Sequence, residues 1–238
     1  MTTLAGIDVS NFQGASFPWA AWKPKIGFAI AKATEGETFR DPDFTRNWAQ
    51  MKAEGLVRGA YHFAHPNNDV TTEAKFFLAV VKAAGLLPGD LLVLDLEVTD
   101  GESVPWIASW AKTFDAHVHT ATGAHVIAYT DGSMARGGYF AGLGDSPLWL
   151  ANPGGGNVPM PIGPWRQISM EQTGQRGVDV DVFYGTAAQL RDLGVPEPHP
   201  KPAPAPVAAV PWQKTAHVLA QSAAGDLAKL YQLIGEHQ

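Results

Sequence analysis

Asp95 and Glu97 stand two places apart in "VLDLEV", residues 93–98, inside one of the most apolar runs of the chain. A strand repeats its side-chain direction every two residues, so both acids point to one face while Leu94, Leu96 and Val98 point to the other. Two strand rises set their Cα atoms about 6.6 Å apart, close enough for each carboxylate to resist ionisation of the other and raise one pKa. A carboxylic acid kept protonated near neutral pH can serve as a general acid. The same triplet also fits a strand end that reaches solvent at the turn "TDGES". What the other strands carry decides between chemistry and a turn.

Eight short apolar runs alternate with longer amphipathic stretches between residue 1 and about 195. They are "LAGIDV" (4–9), "IGFAIAKA" (26–33), "VRGAYHFA" (57–64), "LLVLDLEV" (91–98), "AHVIAYT" (124–130), "PLWLAN" (147–152), "WRQIS" (165–169) and "VDVDVF" (178–183). This alternation predicts an α/β fold, an irregular (β/α)-type barrel of eight strands. Helices are expected over 41–54, with Asp41 or Asp43 as N-cap, over 71–84 and over 103–122. The later connections "DGSMARGGYFAGLGD" and "PGGGNVPMPIGP" are too rich in Gly and Pro for a regular helix, so the barrel carries fewer helices than strands.

In a barrel of this kind the active site lies at the carboxyl ends of the strands. Those ends carry Asp8 on the first strand, Lys32 and Glu35 at the second, Tyr61 on the third, and Asp95 with Glu97 on the fourth. Tyr129 follows on the fifth, Trp149 on the sixth, Gln167 on the seventh, and Asp179 with Asp181 on the eighth. Unpaired buried acids cost several kcal/mol each, so a purely structural origin explains one such residue but not a converging set. His62 alternates away from Tyr61 and reads as a packed, hydrogen-bonded histidine. Trp19, Trp22, Trp48, Trp106 and Trp110 fall in loops or helices and read as core.

Composition narrows the classes. The 238 residues are 45% hydrophobic and 17% charged, as in a globular chain with a sizeable core. A formal net charge of −6 without a basic stripe argues against nucleic acid or an anionic membrane as partner. No apolar run approaches the roughly 20 residues that span a bilayer, so membrane insertion is not expected. The absence of cysteine removes disulfides and thiolate metal sites. His117 and His119 in "AHVHTATGAH" diverge by about 200° on a helix, and "PGGG" and "ARGG" lack the strand-to-helix setting of a phosphate loop. No metal and no cofactor are implied.

Residues 196–211, "PEPHPKPAPAPVAAVP", read as a Pro-rich linker favouring polyproline II, able to reach roughly 50 Å at about 3.1 Å per residue. Beyond it, 212–238 reads as an amphipathic helical segment with Ala223, Leu227, Leu230 and Ile234 on one stripe. Too short to hold a core alone, it is expected to dock on the barrel, self-associate or bind a target surface. The expected organisation is thus a catalytic barrel over 1–195, the linker and the helical segment.

In order along residues 4–186, "GIDVSNFQG", "AIAKATEGETFRDPDF", "GLVRGAYHFAHP", "LVLDLE", "AYTDGS", "LWLAN" and "GVDVDVF" resemble the segments of glycoside hydrolase family 25 lysozymes, the Chalaropsis-type muramidases. The resemblance implies a barrel enzyme that cleaves the β-1,4 bond between N-acetylmuramic acid and N-acetylglucosamine in bacterial peptidoglycan. It places the family's D-x-E motif on Asp95 and Glu97, its amino-terminal aspartate on Asp8 and its eighth-strand aspartate on Asp179. Two departures stand out. Arg166, Gln167 and Ile168 replace a frequent Trp-Gln-Tyr on the seventh strand, and Asp181 replaces a usual Asn.

Cleaving a glycosidic bond takes an acid for the leaving oxygen and support for an oxocarbenium-like carbon. Glu97 is the expected acid. Asp95, on the same face of the same strand, is badly placed as a nucleophile, so it is expected to orient a substrate N-acetyl group that attacks its own anomeric carbon. Inversion with Asp179 or Asp8 as base is the alternative. Tyr61, Tyr129 and Trp149 offer flat rings to a sugar. Competing functions are a non-catalytic glycan-binding barrel and a hydrolase of another N-acetylated glycan such as chitin. Met1 leads straight into the fold with no signal-like segment, which fits a bacteriophage endolysin made in the host cytoplasm and acting on the wall; a secreted enzyme is the alternative.

Overall fold

The computed structural model describes residues 2–197. The linker from residue 198 onward and the segment 212–238 lie outside the described residues.

Nine strands are present: β1 (Leu4–Val9), β2 (Phe28–Glu35), β3 (Phe39–Arg40), β4 (Val57–Phe63), β5 (Leu91–Asp95), β6 (Ile127–Asp131), β7 (Leu148–Ala151), β8 (Met170–Gln175) and β9 (Asp179–Phe183). They are hydrogen-bonded in the order β1-β9-β8-β7-β6-β5-β4-β2-β3, and a β1–β2 pairing closes the ring. The two-residue β3 only folds back on the end of β2, so eight strands form the barrel. Every barrel pairing is parallel except those of β9, which runs antiparallel to both β1 and β8.

One expected strand is displaced. Residues 165–169 are not a strand. Trp165 is instead a buried plug, packed against Phe140 with ring centroids 5.2 Å apart, its Nε1 donating to the Ser146 carbonyl at 2.7 Å. The chain turns there, and the strand that fills this place in the barrel is the polar "MEQTGQ" of β8.

Side-chain parity divides the core in two. Phe28, Ile30, Val57, Leu91, Val93 and Ile127 point inward and plug the lower barrel. Gly6 makes room for them, since a Cβ there would lie 2.3 Å from the Phe28 ring. The alternate residues of β2, Ala29, Ala31 and Ala33, are small and completely buried on the outer face, which lets helices approach closely.

The helices are α1 (Trp19–Trp22), α2 (Phe44–Ala53), α3 (Val70–Ala83), α4 (Val104–Thr122), α5 (Gly132–Arg136) and α6 (Ala187–Arg191). Asp69 caps α3 by accepting from the Thr72 backbone N–H at 2.8 Å, and Gly123, at φ 81°, ends α4 in the left-handed conformation that costs glycine no Cβ clash. Asp43 precedes α2 without a side-chain cap bond, its Oδ1 accepting from Arg46 Nη1 at 2.8 Å instead, while the Asp41 carboxylate takes the Asn11 and Asp43 backbone N–H groups. After β6 the only helices among the described residues are five residues long, so that flank of the barrel is covered by loops. No helix among the described residues is long and apolar enough to cross a membrane.

Candidate active site

At one mouth of the barrel lies a cavity of about 360 Å³. Asp8, Lys32, Tyr61, Asp95, Tyr129 and Trp149 line it from six parallel strands, Asp95 as the last residue of β5 and Trp149 as the second of β7. Asp179 reaches the same mouth from the amino end of β9, because that strand runs the other way; the register sets it directly opposite Asp8. Glu97 lines the cavity from two residues beyond β5.

Three expected site residues lie elsewhere. Gln167, off the displaced strand, is exposed and lines a separate cavity with Arg166 and Tyr184. Glu35 stands beside this cavity, bonded to Lys32 Nζ at 2.5 Å and to His65 Nε2 at 3.4 Å. Asp181 sits one inward step deeper than Asp179, opposite Gly6, with Oδ1 accepting from Trp149 Nε1 at 3.1 Å.

The structure adds residues that sequence reasoning missed. Gln172 of β8 takes the place expected of Gln167: its Nε2 donates to Asp8 Oδ2 at 2.8 Å and its Oε1 accepts from the Tyr129 hydroxyl at 2.9 Å. Ser10, Phe12 and Gln13 form part of the lip. Gln13 Oε1 accepts from the Ser10 backbone N–H at 2.8 Å, and Asp41 accepts from Asn11 N–H at 2.8 Å, fixing a three-residue turn that leaves the Phe12 ring 86% exposed. The signal was the short "SNFQ" capping box, Ser10 to Gln13, directly after β1.

The electrostatics differ from expectation in one respect. Asp95, not Glu97, is the buried member of the pair, because β5 ends at Asp95 and Glu97 opens toward solvent at the mouth. Burial pushes Asp95 well above the usual carboxylate range, with the charges of Glu97 and Asp8 adding and that of Lys32 opposing. Partial desolvation also raises Glu97, with the charge of Asp131 adding, Tyr129 opposing and Asp179 adding. Asp8 is pushed up to about 7 by burial, against the Gln172 bond, with Asp179 and Glu97 contributing. Burial raises Asp179 too, and Asp181 well above the usual range.

Among the surrounding groups, His62 is packed as expected, with Nε2 2.7 Å from Glu73 Oε2 and Nδ1 2.8 Å from Thr34 Oγ1. Trp19, Trp48 and Trp110 are buried, but Trp106 is 52% exposed, held by its Nε1 donating to the Pro66 carbonyl. Among the described residues no three His, Asp or Glu side chains group as metal ligands would.

A barrel mouth lined by several carboxyl groups of raised pKa, with aromatic rings around them, defines a glycoside hydrolase. The chain belongs to glycosyl hydrolases family 25, whose model matches residues 7–179. It is 34% identical over 211 residues to Lysozyme M1 of Streptomyces globisporus, covering 79% of this chain and 70% of that protein. It is 30% identical over 211 residues to the N,O-diacetylmuramidase of Arthroderma benhamiae, covering 79% and 86%. Among solved structures, the bacterial lysozyme of Streptomyces coelicolor superposes with a TM-score of 0.73 at 31% identity, over 82% of this chain and 98% of that one. The family GH25 lysozyme of Aspergillus fumigatus gives 0.72 at 31% identity, over 82% and 100%.

Proposed function

We propose that this glycoside hydrolase cleaves the β-1,4 bond between N-acetylmuramic acid and N-acetylglucosamine in bacterial peptidoglycan, with Glu97 as general acid. The observation that carries the mechanism is Asp95 Oδ1, buried and without a hydrogen-bond partner among the described residues, in the cavity beside Glu97. A buried acceptor left unpaired is costly. A substrate acetamido N–H satisfies it, and the bond turns the acetamido carbonyl toward the anomeric carbon. In the complex the acetamido N–H, with the Lys32 charge on the same side, opposes the burial that raises Asp95 and favours its ionised form, which leaves the proton on Glu97, where the leaving oxygen needs it. Retention of anomeric configuration follows; an inverted product would move the catalytic role to Asp8 or Asp179 as a base.

Glu97→Gln removes the transferable proton from an isosteric side chain. Release of muropeptides from purified walls should fall by about 10²–10⁴-fold with an unchanged melting curve. A variant that keeps most of its rate sinks the assignment, and faster cleavage of chitin oligomers than of walls by the parent enzyme sinks the substrate. For the setting, we favour a bacteriophage endolysin reaching the wall through a pore made by another protein. A likeness to the CTP1L endolysin, at 28% identity and a TM-score of 0.58, supports it. Expression inside a bacterial host should then lyse cells only when a pore-forming partner is co-expressed.

A further inference from the structure

His65, just past β4, joins two segments beside the catalytic cavity, the end of β2 and the loop after β5. Its Nδ1 lies 3.0 Å from Asp100 Oδ2 and its Nε2 3.4 Å from Glu35 Oε1. An ionised carboxylate only accepts. Glu35 takes the Lys32 ammonium on its other oxygen at 2.5 Å; burial works against its charge, but the bonds and charges of Lys32 and then His65 hold it below the usual carboxylate range. A neutral imidazole has one N–H to give, so the two contacts together require the imidazolium. The balance at His65 agrees: burial lowers it, but the bonds and charges of Glu35 and Asp100 raise it above an ordinary 6.5. Asp100 lies three residues beyond Glu97 on the loop between β5 and α4, and it is followed by Gly101 in the left-handed region, at φ 48° and 85°. That conformation costs a residue with a Cβ. Among the described residues, the backbone of 97–101 makes no backbone hydrogen bond to another element, and Glu102 N–H bonds back to the Thr99 carbonyl at 2.8 Å within the turn. The Asp100 carboxylate therefore anchors a loop with little other support.

We propose that His65, as an imidazolium shared by Asp100 and Glu35, is a positioning residue that pins the β5–α4 loop to the end of β2 and so holds Glu97 over the cavity. The inference rests on the reading of Glu97 as general acid. The other charged groups around His65 are already engaged. Glu73 of α3 accepts the His65 backbone N–H at 3.3 Å and is bonded to His62 of β4, Lys32 is on Glu35, and Glu37 accepts the Asp69 backbone N–H. Above the raised pKa of His65 one ring nitrogen becomes a lone pair facing a carboxylate, and the clamp opens on one side.

His65→Gln keeps a donor but carries no charge. At about pH 5, kcat on soluble peptidoglycan fragments should fall on the order of ten-fold with KM little changed, the scale of one charge-assisted hydrogen bond. The ratio of parent to variant should then shrink toward one as pH rises past the raised His65 pKa, because the parent loses its cation and the variant has none to lose. Asp100→Asn, which the left-handed turn tolerates, should cost a similar factor at the same acidic pH, and the double variant no more than either single one. A direct field on Glu97 cannot imitate this, since removing a cation and removing an anion move its proton affinity in opposite directions. Parent-like kcat in both folded variants overturns the proposal. So does a loss confined to KM, a ratio that stays flat with pH, or single variants that act in opposite directions. If His65→Gln melts early, Asp100→Asn carries the test. A fully active Glu97→Gln enzyme would instead remove the reading beneath it, so the two failures are separable.

Discussion

Two sets of buried charges lie on opposite faces of the barrel sheet. On the outer face, Arg58 of β4 holds Asp90 through Nε at 2.7 Å and Nη2 at 2.8 Å, donates again to the Gly85 carbonyl, and lies 4.0 Å above the Trp48 ring. His62 and Glu73, both fully buried, close a second satisfied set with Thr34 and Asn68. On the inner face, Asp8, Asp95, Asp179 and Asp181 stand among one another, and Asp95 Oδ1 and Asp181 Oδ2 have no partner among the described residues. Parity alone makes the difference: on β4, Arg58 and His62 point outward to stabilise, and Tyr61 between them points inward to the site. The outer face is arranged for stability, and the inner face holds acids in a state that folding alone would not favour.

The comparison breaks most directly at Arg58. Arg58→Met keeps much of the stem that covers Trp48 but leaves Asp90 as an uncompensated buried charge. A loss of about 3–5 kcal/mol is expected, a fall in melting temperature of about 10 °C, read by calorimetry at neutral pH. A change of a degree or two would mean that Asp90 finds water, and that the outer set is no better satisfied than the inner one.

The inner face was partly legible in the sequence because a period of two needs no tertiary information: Asp95 with Glu97, and Asp8 ending a regular apolar run, were readable at once. Gln172 was not. Its strand is polar and contains Gly174 at a register shift, whereas "WRQIS" five residues earlier shows the better alternation and uses it for a plug. The reversed direction of β9 was likewise invisible, although it alone brings Asp179 to the mouth. Phe12 carries no periodic signal, and only the bonds that hold its turn mark it as displayed.

A milder test compares the faces through pH. The inner carboxyls are raised in the folded state, Asp8 from an ordinary 3.8 to about 7, so between these values the native protein holds protons that the unfolded chain has released. Stability therefore falls as pH rises through that window, and melting temperature should be lower at pH 8 than at pH 5. Of the two histidines with a shift, buried His62 is lowered and works against this trend, while His65 is raised and works with it, so the carboxyls set the net sign. A melting temperature that climbs steadily from pH 5 to pH 8 would show that the inner acids are satisfied by something other than their protons.

Asp181 isolates the smallest of these effects. The resemblance to the family leads one to expect Asn at this position, and the structure shows why an amide is the easier residue to bury. Oδ1 accepts from Trp149 Nε1, a bond that Asn reproduces, while Oδ2 is sealed inside the barrel with the charges of Asp8 and Asp179 nearby. Burial, followed by the Asp8 charge, raises the carboxyl well above its usual range, so native Asp181 keeps a proton that the unfolded chain gives up above about pH 4. Asp181→Asn removes that penalty and supplies an N–H donor facing the acids. The variant should match the parent near pH 4 and exceed it by about 1–2 kcal/mol at pH 8, a gain of roughly 3–5 °C in melting temperature. A gain of equal size at both pH values would reflect packing, not protonation, and no gain at pH 8 would show that Asp181 is as well accommodated as Asp90.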